Sequence, residues 1–128
     1  MTTTTTWTDD ELDSIGHAEE LEIASLRRDG NLSSQRTIWV VRLGDDIYVR
    51  SVNGPRSDWY RSTRVRREGR IQAGGVSGDV AFVDADEEIN EAVDAAYRTK
   101  YGHYAASIIQ AITSPEASST TMQLVPRA

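Results

Sequence analysis

Two runs of β-branched and aromatic residues, Thr37-Ile-Trp-Val-Val-Arg-Leu43 and Ile47-Tyr-Val-Arg-Ser-Val52, flank the turn residues Gly44-Asp45-Asp46. Such runs about a tight Gly-Asp turn predict an antiparallel hairpin. Leu21, Ile23 and Ser25 alternate with Glu22, Ala24 and Leu26 as in a half-buried strand, followed by turn chemistry at Asp29-Gly30-Asn31. Gly69–Ala73 and Asp79–Asp84 read as a second hairpin around Gly74-Gly75-Val76-Ser77-Gly78, and Thr120–Val125 as a last strand. Thr8-Asp9-Asp10-Glu11 is a capping box that opens a short helix ending near Gly16, with Leu12 and Ile15 on one face. Ser57 or Asp58 would cap a short helix over Trp59–Arg64. Asp84 or Asp86 would cap a longer one carrying Ile89, Ala92, Val93, Ala96 and Tyr97 at helical spacing, stopped by Gly102, with Tyr104–Ile112 helical after it. The expected fold is therefore α+β: a six-stranded, mostly antiparallel β-barrel with short helices at its margins. Closing the sheet would remove most of its unpaired edges. Residues 7–128 would form one domain behind a disordered threonine tail, residues 1–6.

Charge is distributed unevenly along this framework. Arg27 to Arg70 holds eleven arginines and five acids, a balance of +6, whereas the other residues carry three basic and fifteen acidic groups, a balance of −12. An acidic chain that gathers arginine in one segment sets a local positive field against its average, and the planar guanidinium fork suits phosphate or carboxylate. The bland reading is that exposed strands carry arginine for solubility and edge protection. A net charge of −6 disfavours general nucleic-acid binding. With no cysteine, thiolate metal sites and thiol nucleophiles are excluded, and His17 and His103 stand in no metal-ligand spacing. No apolar run approaches the roughly 20 residues that span a bilayer. Met1–Thr6 lacks the basic region and apolar core of a signal peptide, so cytoplasmic residence is expected.

Tyr48-Val-Arg-Ser-Val-Asn-Gly-Pro-Arg-Ser-Asp-Trp-Tyr-Arg61 brings a strand end, a glycine loop and a helix start together. Free amides at a helix start beside arginines favour an anion, while Trp59 and Tyr60 either cover an aromatic ring or fill the core beside the loop. Arg64-Val-Arg-Arg67 either extends the positive field or forms a solvated face. Gly74, Gly75 and Gly78 join two strands and open no helix, which makes them a hairpin turn rather than a phosphate loop. His17 and His103 read as partners of terminal helix carbonyls, and the carboxylate pairs Asp9-Asp10 and Glu87-Glu88 complement helix dipoles. With no serine in a nucleophile-elbow setting beside either histidine, any redox or transfer chemistry would come from a cofactor or from substrate positioning.

The segments Thr37–Ser51, Trp59-Tyr-Arg61, Gly69-Arg-Ile71, Val80-Ala-Phe82, Ala96-Tyr-Arg-Thr-Lys-Tyr-Gly102 and Thr120-Thr-Met-Gln-Leu-Val-Pro126 resemble domain-of-unknown-function family 2255, over about Trp7 to Arg127. That family is similar to the flavin and deazaflavin split-barrel group, which includes pyridoxamine-phosphate-oxidase-like and nitroreductase-like proteins. The resemblance implies a six-stranded split barrel and a homodimer with FMN or a deazaflavin at the subunit interface. It implies cofactor contact for Ser51, Gly54, Trp59 and Tyr60, with Arg50, Arg56 and Arg61 as phosphate partners. Where the nitroreductase-like branch grips phosphate with a Gly-Arg-Lys-Thr-Gly-like turn, this chain reads Arg27-Arg-Asp-Gly-Asn-Leu-Ser-Ser-Gln-Arg36, with Arg28, Ser34 and Arg36 as the counterparts. Three functions fit these residues: a flavin- or deazaflavin-binding oxidoreductase, a cofactor-free binder or non-redox enzyme for a small anionic or aromatic metabolite, and a module whose arginine face docks an acidic protein.

Overall fold

The computed structural model describes residues 6–127. The threonine tract, apart from Thr6, lies outside the described residues. Helix α1 (Asp9–His17) opens on the capping box: the Glu11 amide donates to Thr8 Oγ1 at 3.1 Å and the Thr8 amide to Glu11 Oε1 at 2.9 Å. Then come strands β1 (Leu21–Ser25), β2 (Arg36–Ile38), β3 (Val41–Leu43) and β4 (Asp46–Val49). A 3₁₀ turn (Gly54–Arg56), helix α2 (Asp58–Arg66) and the hairpin β5 (Glu68–Ala73)–β6 (Val76–Asp84) follow. After a second 3₁₀ turn (Glu87–Ile89) come helices α3 (Asn90–Tyr101), α4 (Ala106–Ile112) and α5 (Pro115–Ser118), and strand β7 (Met122–Pro126).

The sheet has seven strands in the order β2-β1-β5-β6-β7-β4-β3, every neighbouring pair antiparallel. The expectation of six strands is corrected here. The run Thr37–Leu43 breaks at Trp39-Val40, and its halves pair at opposite ends of the sheet, β2 with β1 and β3 with β4. Val40 leaves the ladder because its backbone groups find other partners: its N–H donates to Tyr101 Oη at 3.1 Å, and Lys100 Nζ donates to its carbonyl at 2.7 Å. This break also dictates closure. Laid flat, seven strands would separate β2 from β3 by about 29 Å, six spacings of about 4.8 Å. Ile38 and Val41 are three residues apart and cannot be separated by more than about 11 Å. The sheet must curl until its edges approach, which makes it a split barrel.

Alternation along the strands divides the apolar residues between two cores. Ile47 and Val49 of β4 join Leu21, Ile23, Ile71, Val80, Phe82 and Leu124 inside the barrel, where Leu12 and Ile15 of α1 and Tyr60 of α2 also pack. Tyr48, between Ile47 and Val49, turns outward with Val41 to meet Val93, Tyr97 and Tyr101 of α3 and Ile112 of α4. The hairpin β5–β6 is tighter than its sequence suggests. Gly74 and Gly75 alone form the turn, at φ +58° and +84°, while Val76, Ser77 and Gly78 pair with Ala73, Gln72 and Ile71. Positive φ at both central residues matches the twist of antiparallel strands and is the reason for the glycine pair.

Candidate functional site

A cleft of about 440 Å³ is built from β2, the Trp39 link, the loop after β4, α2 and α4. Its apolar walls are Ile38, Trp39, Val52, Trp59, Ile108 and Ile112; Arg36, Thr37 and Asn53 supply polar groups. Trp39 is held flat: its ring stacks on Tyr101 with centroids 3.9 Å apart and planes 2° from parallel. Trp59 meets Tyr60 edge-on at 6.3 Å. Beside this cleft lies a smaller one, about 160 Å³, lined by Arg27, Ser33, Ser34, Arg36, Asp58, Trp59 and Ser62. Arg36 and Trp59 line both, so the two are adjoining compartments, one aromatic and one formed by arginine and hydroxyl groups.

The residues singled out from sequence separate into three groups. Trp59, Ser34 and Arg36 line the clefts, and the buried Arg50 borders the larger one. Arg50, Ser51, Gly54 and Tyr60 are buried parts of the frame. Arg50 is 1% exposed and lies beneath the cleft, with all its N–H donors engaged by protein acceptors. Nε donates to Thr121 Oγ1 (2.9 Å), Nη1 to Asp94 Oδ1 and the Ile112 carbonyl (3.1 Å), and Nη2 to the Asn90 carbonyl (3.1 Å) and Oδ1 (3.3 Å). Those bonds tie β4, α3, α4 and β7 together and leave Arg50 no donor for a ligand phosphate. Ser51 Oγ donates to the Gly54 carbonyl at 2.7 Å and lies 2.5 Å from Ser57 Oγ, so Ser57 serves the loop instead of capping α2 with its side chain. Gly54 sits at φ +78° with Glu116 against it, where a Cβ would come within 3.0 Å. Tyr60 packs in the barrel core and accepts a bond from Arg64 at 2.8 Å. Arg28, Arg56 and Arg61 are exposed and line neither compartment.

The arginine-rich segment does not converge as a whole. Arg42 pairs with Asp13, Arg50 with Asp94, Arg64 and Arg67 with Asp84, and Arg70 with Asp79. The guanidinium hydrogen bonds of Arg64 and Arg67 hold the Asp84 carboxyl down at about 2. Only Arg27 and Arg36 of the segment meet at the smaller compartment. In the loop after β4 it is Val52 and Asn53, between Ser51 and Gly54, that line the cleft, while Ser51 and Gly54 are buried and Arg56 is exposed away from it. Trp39 was visible as an aromatic in a strand, yet nothing local marked the strand break that turns it into a wall. Ile108 and Ile112 lie four apart on α4, a spacing that marks one helix face without saying what it covers.

A family model described as "Uncharacterized protein conserved in bacteria (DUF2255)" matches residues 11–124. No curated protein matches the chain in sequence. Among solved structures, the chain is similar to HutZ, the heme storage protein from Vibrio cholerae, with a TM-score of 0.65 at 15% identity, over 94% of this chain and 90% of that one. It is similar to an F420 reductase, with a TM-score of 0.56 at 13% identity, over 91% and 93%. It is also similar to an FAD and heme binding protein from Mycobacterium smegmatis, with a TM-score of 0.53 at 14% identity, over 94% and 66%. At these identities the likeness is one of fold: the sheet and its flanking helices are those of split-barrel proteins.

Proposed function

The chain belongs to the DUF2255 family, and from that membership and the paired clefts we propose that it binds a phosphate-bearing flavin or deazaflavin and serves as an oxidoreductase. The observation that carries this reading is the shared wall: Trp59 and Arg36 line both an aromatic compartment and an arginine-hydroxyl one. The fixed face of Trp39 and the apolar side chains of Val52, Ile108 and Ile112 offer an aromatic ring system a dry surface. Arg27, Arg36 and Ser34 offer charge-assisted bonds to a phosphate. The names of similar folds add support, since an F420 reductase and an FAD and heme binding protein are among them. When bound, the cofactor would supply hydride chemistry; the chain's part is to orient the ring, hold the phosphate and exclude water. We include a homodimer in the proposal, with the exposed Val52 and Ile108 at the cleft available to a second copy, and light scattering as its check.

The test is titration with FMN, riboflavin and a phosphate-bearing deazaflavin, followed by tryptophan quenching and visible absorbance. FMN should bind more tightly than riboflavin. Arg36→Ala should weaken FMN at least tenfold, because a hydrogen bond to a charged group contributes roughly 1.5–3 kcal/mol; Arg56→Ala, outside both compartments, should leave it unchanged. Equal affinity in wild type and Arg36→Ala overturns the phosphate assignment. A second reading, a cofactor-free binder of a small anionic aromatic metabolite, is favoured by the modest volume of the phosphate compartment and by Arg50's commitment to the frame. It predicts no uptake of either flavin, with saturable quenching by a small aromatic carboxylate or phosphate.

A further inference from the structure

Of the chain's 14 basic residues only Lys100 is a lysine, and it is not on an open face. It stands half-buried near the end of α3, in a cleft of about 320 Å³ lined also by His17, Val41, Arg42 and Thr99. Nζ donates to the Val40 carbonyl at 2.7 Å and lies 5.1 Å from the Tyr101 ring centroid. Among the described residues it forms no ion pair. A neutral amine in that position keeps an N–H for Val40 and frees a lone pair. Arg42 is partly engaged: Nε donates to the Gly44 carbonyl (2.8 Å) and Nη1 to Asp13 (2.7 Å), while Nη2 makes no hydrogen bond among the described residues.

We propose that this cleft captures a small oxo acid, with Lys100 as the nucleophile and Arg42 as the carboxylate clamp. The Nζ lone pair adds to the carbonyl carbon to form the C–N bond. The former carbonyl oxygen takes up the two protons released from nitrogen, the C–O bond breaks, and water leaves as the C=N bond forms. No oxidant or reductant takes part. Burial favours the reactive form, lowering the amine to about 8 from its ordinary 10.5 against the opposing pull of Glu19's negative charge. About a tenth of the amine is then unprotonated at pH 7. The titratable and charged groups around it are Glu19 after α1, His17 at the end of α1 and Arg42 on β3, with the Tyr101 phenol beside it on α3. This cleft shares no lining residue with the tryptophan cleft, so the two assignments stand or fall separately.

The full chain is incubated with glyoxylate and sodium cyanoborohydride, and the reduced adduct is located by intact mass and peptide mapping. As the one other primary amine, the chain's α-amino group is the internal reference. We expect a saturable adduct on Lys100, its rate rising with pH through a midpoint near 8, and at least tenfold more labelling than with propionaldehyde, which lacks the carboxylate. Arg42→Gln should abolish that preference while Lys100 still reacts, and Lys100→Arg should remove the internal adduct. Labelling of the α-amino group alone overturns the proposal. So does equal labelling of Lys100 by glyoxylate and propionaldehyde, or a preference that survives Arg42→Gln. The wild-type map decides the matter even if a variant folds poorly.

Discussion

Arg50 shows what a single residue does for this fold. A guanidinium removed from water is tolerated where every donor has an acceptor, and here Thr121, Asp94, Ile112 and Asn90 provide them. Arg50→Met should therefore lower unfolding free energy by about 3 kcal/mol or more, because it strips partners from several groups at once. Urea denaturation measures this, and Arg50→Lys should recover only part, since an ammonium cannot match a planar five-donor fork. Sequence alone could not foresee this role: Asp94 lies 44 positions away, and a strand-end arginine beside a glycine loop reads equally well as a ligand contact. Asp84 offers a second test at this scale. Its carboxyl sits at about 2 instead of 3.8, through Arg64 first and Arg67 after it. A depressed carboxyl stabilises the native state above its unfolded value, and the contribution is lost as pH falls from near 4 through 2. Both partners are substantially exposed, so the loss should stay below about 1 kcal/mol. Across that interval wild type should lose slightly more stability than Asp84→Asn, as followed by thermal melts at stepped pH.

Among the elements, those with local chemistry were the most legible. The capping box at Thr8 and the hairpin about Gly44 occur as their residues specify, and α3 ends at Tyr101 as expected, although Gly102 caps it at φ −62° and not in the left-handed region. The β5–β6 turn was located but drawn too long, because Gly78 resembles a loop residue and is in fact paired with Ile71. Its two turn glycines have different surroundings, and that difference can be measured. A Cβ on Gly74 would meet the Ser14 carbonyl oxygen at 2.2 Å, whereas Gly75 has open space around it. Both substitutions to alanine carry the left-handed backbone penalty of roughly 1–2 kcal/mol. Gly74→Ala must in addition push α1 away from the hairpin, so it should cost clearly more than Gly75→Ala in denaturant titration. Near-equal losses would mean that α1 yields without resistance. Helix α5 is not marked by periodicity because it has only four residues, Pro115–Ser118; only the cap, the Ala117 amide donating to Ser114 Oγ at 3.2 Å, marks its start.

For the whole molecule, closure depends on a contact between residues 61 positions apart. Tyr101 accepts the Val40 amide, donates to the Glu19 carbonyl at 2.8 Å, and carries Trp39 on its ring face. One phenol thereby fixes the strand break that allows β2 and β3 to lie at opposite ends of the sheet, and sets the wall of the proposed cofactor cleft. Burial pushes its ionisation above the ordinary tyrosine value, which keeps the hydroxyl a donor through the neutral range. None of this was legible in sequence, since a tyrosine at a helix end gives no hint of the backbone it will meet. Tyr101→Phe retains the stacked ring but leaves the Val40 amide and Glu19 carbonyl without it, a cost of about 1–3 kcal/mol. Tyr97 is the matched comparison on the same helix: it too is fully buried, but its hydroxyl has no hydrogen-bond partner among the described residues. Tyr97→Phe should therefore be neutral or stabilising. If both variants lose the same stability, ring packing alone holds the edge strands and the Val40 clamp has no energetic role. If only Tyr101→Phe is destabilised and it also binds FMN less tightly than Tyr97→Phe does, then closing the barrel and shaping the cleft are one event.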